Sequence, residues 1–202
     1  MNILIVFDSR YGNTHKLAEA VAEGARQVAE AEARLARPPA SEPEAIIQQN
    51  ERWQAAHARF MQVREVTLDD FRWADAVILG SPTRFGNMTA SLKAVVDGWG
   101  PLWMEGTLVG KVGAAFTSSS TMHGANEITI LTMWLPLIHQ GMVIVGVPYA
   151  EERLISTTRG GTPYGASSVS GPMADQGPNE DELAIARTLG RRVAEVAGKL
   201  RS

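Results

Sequence analysis

Near its start the chain reads Ile3-Leu4-Ile5-Val6-Phe7-Asp8-Ser9-Arg10-Tyr11-Gly12-Asn13-Thr14, an apolar run that changes abruptly into a polar turn. The apolar run is typical of a strand that is buried on both faces of a parallel sheet. Beyond the turn, apolar residues recur from Leu17 to Val28 with the spacing of one helical face. A strand, a polar turn and a helix in this order predict an α/β fold.

The polar turn at 9–14 has two interpretations. Hydroxyl and amide side chains at the start of a helix, together with its free backbone N–H groups, suit a phosphate. The alternative is a simple chain reversal, with Gly12 for the bend and Asn13 or Thr14 as the helix cap. The turn lacks both the Gly-x-Gly-x-x-Gly pattern of dinucleotide folds and the lysine of a P-loop. A phosphate bound here is therefore expected to be held by hydrogen bonds and not transferred.

Two later apolar runs end in similar polar loops. The run at 76–80 is followed by the loop 81–88, and the run at 112–116 by the loop 117–124. Taken singly, the loop 81–88 is as consistent with a simple turn that buries Phe85 as with a binding role. The alternative for the loop 117–124 is a flexible serine-rich surface loop. Ligands in parallel sheets bind at the carboxyl ends of the strands. Three polar loops in that position favour a ligand site between them.

Weaker patterns complete the alternation of strands and helices. Stretches at 33–37 and 142–147 predict a second and a fifth strand, and apolar residues every seven positions from Ile46 to Phe60 predict one helix over 44–61. Asn179 and Glu182 have the spacing of a capping box at the start of a last helix. The glycine- and proline-rich stretch 148–178 is expected to be an ordered surface excursion. The pattern predicts one α/β domain over 1–202 with a doubly wound five-stranded parallel sheet, in the order 2-1-3-4-5.

Composition narrows the possible functions. A net charge of −3 with scattered Lys and Arg argues against nucleic-acid binding. Without cysteine there is no disulfide, thiolate or iron–sulfur chemistry, so redox activity would need a bound organic cofactor. The four histidines lack metal-binding spacing, so no metal site is predicted. No signal-peptide pattern and no apolar run of about 18 residues is present, so we expect a cytoplasmic protein that is not in a membrane.

Four motifs of this chain recur together in one known family. They are SRYGNT at 9–14, GSPTRFGNM at 80–88, GMVIV at 141–145 and RGGTPYGA at 159–166. Together they resemble the WrbA-type NAD(P)H:quinone oxidoreductases. The resemblance implies a flavodoxin-like fold, bound FMN, a homotetramer or dimer of dimers, and two-electron reduction of a quinone by NADH or NADPH. The implied reaction is ping-pong: the nucleotide gives hydride to the flavin and leaves, and a flat quinone then takes its place.

The resemblance also implies roles for individual residues, although it assigns no catalytic residue. The 9–14 turn would hold the FMN phosphate. Thr83, Arg84 and Phe85 would border the flavin ring, and Ser118 to Gly124 would line its other side. Tyr11 would also meet the nicotinamide, and Trp103 would form an aromatic wall for the substrate. The residues implied to bind the cofactor are Ser9, Arg10, Tyr11, Gly12, Asn13, Thr14, Pro82, Thr83, Arg84, Phe85, Gly86, Asn87, Ser118, Ser119, Ser120, Thr121, Met122, His123, Gly124 and Gln140.

The chain departs from the family pattern in three places. Loop 118–124 has fewer glycines, and segment 38–65 matches no family motif. Gln140 stands where the family often has a histidine, and an amide cannot donate a proton at neutral pH as an imidazolium can. The alternatives to an enzyme are a flavodoxin-like electron carrier, an FMN-binding regulatory scaffold, or a binding module without flavin.

Overall fold

The computed structural model describes residues 1–201 and shows a parallel sheet with helices on both faces. The strands are β1 (Asn2–Phe7), β2 (Glu32–Ala36), β3 (Ala76–Pro82), β4 (Val112–Ser119), β5 (Val143–Ile144) and β6 (Ser167–Val169). The helices are α1 (Asn13–Arg26), α2 (Glu44–Ile47), α3 (Glu51–Phe60), α4 (Leu68–Trp73), α5 (Ala90–Asp97), α6 (Gly100–Glu105), α7 (Asn126–His139), α8 (Arg153–Ser156) and α9 (Glu180–Leu200).

The predicted strand order is confirmed, since the main path through the sheet is β2-β1-β3-β4-β5 and all pairs are parallel. The three central strands are buried along nearly their whole lengths, as their continuous apolar runs predicted. Alternate residues of β1 enter two cores. Ile3, Ile5 and Phe7 pack with α1 and α9, whereas Leu4 and Val6 pack on the face covered by α5 and α7.

The edge of the sheet beside β4 differs from the prediction of a fifth strand over 142–147. β5 has two residues and pairs only with Val112 and Gly113, while β6 pairs with 117–119 at the other end of β4. Between the two pairings the chain leaves the edge, and the backbone N–H of Val147 donates to the carbonyl oxygen of Pro163 at 2.9 Å. Met142 and Val145 are nevertheless buried. The apolar pattern therefore reported burial and not ladder pairing.

The segment predicted as one helix over 44–61 forms two helices. Asn50 has an extended backbone, and its side chain accepts a hydrogen bond from the backbone N–H of Trp53 at 3.0 Å, so a new helix begins after it. Trp53 and Phe60 are buried as expected, but Ile46 in the preceding helix is exposed. The capping box of Asn179 and Glu182 is confirmed. Within residues 1–201, no helix has the length and apolar character to cross a membrane.

Two glycines bring α1 and α9 into close contact. A Cβ atom on Gly24 would lie 1.9 Å from the carbonyl oxygen of Arg187, and one on Gly190 would lie 1.9 Å from that of Val21. Because both obstacles are backbone atoms, neither can move aside without separating the helices. The two positions therefore fix the distance between the helices that cover one face of the sheet.

We expect Gly190→Ala to lower the free energy of unfolding by about 1–3 kcal/mol, because the added methyl group overpacks the contact between α1 and α9. Urea denaturation followed by circular dichroism measures this change. Gly198→Ala is the matched control on the same helix, since its methyl group would meet only the flexible Met1 side chain, 3.3 Å away. The control should remain within about 1 kcal/mol of the wild type. Equal stability of both variants would contradict the packing argument.

Candidate functional site

A cavity of about 540 Å³ lies at the carboxyl edge of the sheet, where the three polar loops meet. The loops come together because β1 lies next to β3 and β3 next to β4. Ten of the residues predicted to bind the cofactor line this cavity, together with six others. The full lining is Arg10, Tyr11, Asn13, Thr14, Asn50, Arg52, Pro82, Thr83, Arg84, Ser118, Ser119, Ser120, Ser170, Pro172, Met173 and Ala174.

The turn after β1 presents the start of α1 to this cavity. Gly12 precedes the helix with a φ of 88°, a left-handed conformation that favours glycine. Ser9 is buried, and its Oγ accepts a hydrogen bond from the backbone N–H of His15 at 3.3 Å. The hydroxyls of Thr14 and Ser118 are hydrogen-bonded at 2.8 Å, which ties the turn to the end of β4. Asn13 and Thr14, the first two residues of α1, line the cavity, so the start of a helix borders a cavity with hydroxyl walls.

The loop after β3 forms a narrow hairpin beside the cavity. The backbones of Arg84 and Asn87 exchange two hydrogen bonds, of 2.8 and 3.1 Å, across the tip formed by Phe85 and Gly86. Both tip residues have positive φ, 52° for Phe85 and 82° for Gly86. Phe85 is fully exposed, so the alternative that it is buried in the core is wrong. The left-handed backbone conformation of a non-glycine residue such as Phe85 costs free energy. Such strained residues are common where a loop contacts a ligand or a partner.

The charge of the cavity is uniformly positive. Its lining includes three arginines, Arg10, Arg52 and Arg84, and no Asp or Glu. Within residues 1–201, none of these guanidinium groups has a carboxylate within ion-pair distance. The Nε of Arg10 is buried and lacks a hydrogen-bond partner in the same part of the chain. Three cations beside a helix start, with no carboxylate of the described residues in ion-pair contact, have the chemistry that suits an anion.

Comparison with known proteins agrees with this geometry. The model of the NADPH-dependent FMN reductase family matches residues 1–152. This chain belongs to that family. A protein of Geobacter metallireducens named NAD(P)H dehydrogenase (quinone) is 47% identical over 203 residues and the full length of both chains. A protein of the same name from Syntrophobacter fumaroxidans is 48% identical over 99% of this chain and 98% of its own.

Solved structures agree with the same assignment. A WrbA-like flavodoxin from Agrobacterium tumefaciens has a TM-score of 0.68 and 26% identity, and the match covers 98% of each chain. An archaeal flavodoxin, with a TM-score of 0.63 and 20% identity, shares the fold. The resemblance to the WrbA-type oxidoreductases and the flavodoxin-like fold are confirmed. Family membership implies FMN as the cofactor, and a cavity with a helix start, hydroxyl groups and unpaired arginines fits its phosphate.

Six lining residues of this FMN reductase family member were not predicted. Asn50 and Arg52 come from the segment that matches no family motif, and the others, Ser170 and 172–174, follow β6. The spacing of Trp53 predicted its burial but not its contact with the guanidinium of Arg10, which lies 3.7 Å from the centre of the indole ring. No sequence signal connects positions this far apart in the chain. Of the six residues, Asn50 alone had a usable sequence signal, because asparagine is a favoured helix cap.

Other predicted residues lie around the cavity without lining it. Ser9 and Gly12 shape the turn, and 85–87 form the hairpin tip described above. The loop after β4 turns away at its end, because Ser119 Oγ donates to the carbonyl oxygen of Thr121 at 2.8 Å and the N–H of Gly124 donates to the same oxygen at 3.0 Å. Residues 121–123 are exposed beyond this turn. Their roles in flavin binding remain predictions.

Trp103 and Gln140 lie at the opposite edge of the sheet. Gln140 ends α7 just before β5, and the adjacent Gly141 accepts a hydrogen bond from Gly110 at 2.9 Å, near the start of β4. Trp103 precedes Glu105, whose carboxylate binds Arg72 at the end of α4, just before β3. Both side chains are therefore at the amino ends of the strands, and neither lines the cavity of its own chain.

His15, in the first turn of α1, is buried next to the polar turn at 9–14. Its ring lies 5.1 Å from that of Phe7 and 6.2 Å from that of Phe60, and its Nε2 is 3.7 Å from Glu19. Burial lowers the pKa of His15, and nearby Arg59 lowers it further, while Glu19 opposes both effects. The neutral imidazole is therefore the form that the fold favours. Since the unfolded chain binds the proton more readily, stability falls as the pH drops below about 6.5.

We expect the protein to unfold at lower urea concentration at about pH 5.5 than at about pH 7.5, and His15→Gln to reduce this difference, because glutamine takes up no proton in this range. Urea midpoints at the two pH values measure the effect. His139→Gln, at the exposed end of α7, is the control and should keep the wild-type difference. An unchanged pH dependence in His15→Gln would show that another group is responsible.

Proposed function

We propose that this protein reduces quinones to hydroquinones by two electrons, with bound FMN and with NADH or NADPH as reductant. The observation that carries the proposal is the cationic cavity, to which residues 1–201 contribute a helix start and hydroxyl groups but no carboxylate. The names of the relatives support the reaction class. A cytoplasmic location, expected from the sequence, fits a reaction that draws on nicotinamide nucleotides.

In this proposal the 9–14 turn holds the FMN phosphate. Backbone N–H groups at the start of α1 and the hydroxyls of Thr14 and Ser118 supply hydrogen bonds, and Arg10 supplies charge. Pro82 to Arg84 border the flavin ring from the β3 side, and Ser118 to Ser120 border it from the β4 side. Phe85 to Asn87 and the loop 121–124 keep their predicted contacts with the flavin.

Bound FMN supplies the chemistry of accepting and donating a hydride. The chain positions the reactants and adjusts the local charge. Tyr11 at the cavity rim offers an aromatic surface for the planar nicotinamide or quinone, and the guanidinium of Arg84 favours negative charge that develops beside it. One slot serves both planar substrates in turn, which gives ping-pong kinetics.

The proposal predicts a yellow protein that binds FMN with its characteristic visible absorption, is reduced by NADH or NADPH in stopped flow, and gives parallel lines in two-substrate steady-state plots. Intersecting lines would contradict the shared slot. Rapid reoxidation by quinone with no direct reduction by nicotinamide nucleotides would instead indicate an electron carrier. Flavin binding without either electron transfer would favour a regulatory scaffold, and a colourless protein that binds no added FMN would contradict the proposal altogether.

We also propose a homotetramer whose contacts use the outer face of α7. Ile128, Leu135 and Ile138 on this helix are each more than half exposed, at 53%, 58% and 53%. A contiguous apolar helix face on a water-facing surface is typical of a protein interface. Trp103 and Gln140 lie at the wrong edge to serve their own cavity, so their proposed roles require that they reach the cavity of another copy. The partner is therefore a second copy of this chain.

We expect Leu135→Glu to dissociate the tetramer, because a charged carboxylate on the apolar face cannot be buried without a partner. Sedimentation velocity measures the assembly state, and the variant should sediment as a dimer or monomer. Leu200→Glu is the control, since Leu200 is also exposed but lies on α9, which covers the opposite face of the sheet. A wild-type protein that sediments as a monomer would contradict the tetramer, as would an assembled Leu135→Glu variant.

A further inference from the structure

We propose that Arg52 of α3 binds the phosphate of FMN and makes the protein select FMN over riboflavin, the same flavin without its phosphate. This gives a function to segment 38–65, which matches no motif of the family. The inference rests on the proposed binding of FMN. The role of Arg52 is additional to that binding, because it assigns phosphate recognition to a helix that lies outside the loops at the strand ends.

Helix α3 is held by aromatic contacts against the turn at 9–14, which we call the phosphate turn. Trp53 is 97% buried, its ring centre lies 6.3 Å from that of Tyr11, and the guanidinium of Arg10 stacks at 3.7 Å from the indole. At the other end of the helix, the ring of Phe60 lies 5.6 Å from that of Phe7 in β1. These contacts fix both ends of α3, so the position of its first turn relative to the phosphate turn is fixed as well.

Arg52 extends from this first turn along the wall of the cavity. Its guanidinium donates to the carbonyl oxygens of Met173, at 2.9 Å, and Ala174, at 2.5 Å, and lies 5.9 Å from the centre of the Tyr11 ring. Ala174 has a φ of 52°, a conformation uncommon for alanine. The two carbonyl groups orient the guanidinium but carry no net charge. Arg52 therefore keeps its full positive charge at the side of the cavity where the phosphate turn lies.

The distribution of charge around the cavity favours this role. Arg10 belongs to the phosphate turn and Arg52 is adjacent to it, whereas Arg84 lies on the hairpin after β3. A phosphate monoester carries a charge of about −1.5 to −2 near neutral pH. Two guanidinium groups at one end of the cavity match that charge. Arg10 is fixed by its stack on Trp53 and Arg52 by its two carbonyl acceptors, so neither has to be ordered when the phosphate binds.

The other arginine on the same helix does not share this position. Arg59 lies on α3 as well, but its guanidinium forms an ion pair with Glu19 at 2.6 Å, and it does not line the cavity. It therefore provides a control that removes one positive charge from the same helix without changing the cavity wall. Arg52 is solvent-exposed, so water and salt weaken its attraction for a phosphate.

The test compares the dissociation constants of FMN and riboflavin for the flavin-free protein, measured by the quenching of flavin fluorescence at low ionic strength. We expect Arg52→Met to weaken FMN binding about five- to tenfold, the effect of roughly 1 kcal/mol of Coulomb attraction near water. Riboflavin binding should change less than about twofold, because the uncharged ligand gains nothing from that attraction. Arg59→Met should leave both constants at their wild-type values.

Equal weakening of both ligands in Arg52→Met would overturn the proposal, because Arg52 would then act only by holding α3 to the 173–174 loop. Unchanged binding of both ligands would overturn it too. Wild-type protein that binds neither flavin would contradict the proposed FMN binding itself. That outcome differs from the two outcomes that overturn only the role of Arg52, because in both of those the wild type binds FMN. Should Arg52→Met fold poorly, Arg52→Gln is the second variant, because its amide group removes the charge but still offers N–H donors to the 173–174 carbonyl oxygens. It must weaken FMN binding more than riboflavin binding, and equal changes in the two dissociation constants would overturn the proposal.

Discussion

The parallel pairing of β1, β3 and β4 determines where the three polar loops of the candidate site lie. These strands are hydrogen-bonded along their lengths, and the pairing extends past their ends. The backbone N–H of Asp8 donates to the carbonyl oxygen of Gly80 at 2.9 Å, and that of Thr83 donates to the carbonyl oxygen of Ser118 at 2.8 Å. Buried backbone groups must be paired, so this register cannot shift without breaking the ladder. The three loops consequently leave the sheet at fixed separations, and the hydrogen bond between Thr14 and Ser118 holds two of them together.

Local charge, not net charge, distinguishes the site. The whole chain carries −3, yet the cavity wall contains only cationic ionisable side chains apart from a tyrosine. Arginines elsewhere in the chain are commonly paired with carboxylates, as Arg64 is with Asp70 at 2.7 Å. Unpaired guanidinium groups in a concave site raise the local concentration of anions more than the same charges would on a convex surface. An acidic protein can in this way bind an anionic cofactor.

Sequence patterns predicted the features that depend on neighbouring residues. The buried strands, the capping box at Asn179 and the convergence of the three loops follow from local composition and from the rules of parallel sheets. The break between α2 and α3 was missed because the seven-residue spacing continues through it, although Asn50 is a favoured helix cap. The contact between Arg52 and Met173 joins positions 121 residues apart, and it exists only once the sheet has brought the two segments together.

The length of the sheet separates the residues that line the cavity from Trp103 and Gln140. β4 has eight residues, so its two ends are about 26 Å apart. The 9–14 turn and the three cavity arginines lie at one end, and Trp103 and Gln140 lie at the other. No choice of side-chain rotamer spans such a distance. If Trp103 forms the aromatic wall that we propose, it must therefore come from a neighbouring copy, and the exposed apolar side chains of α7 offer a surface for that contact.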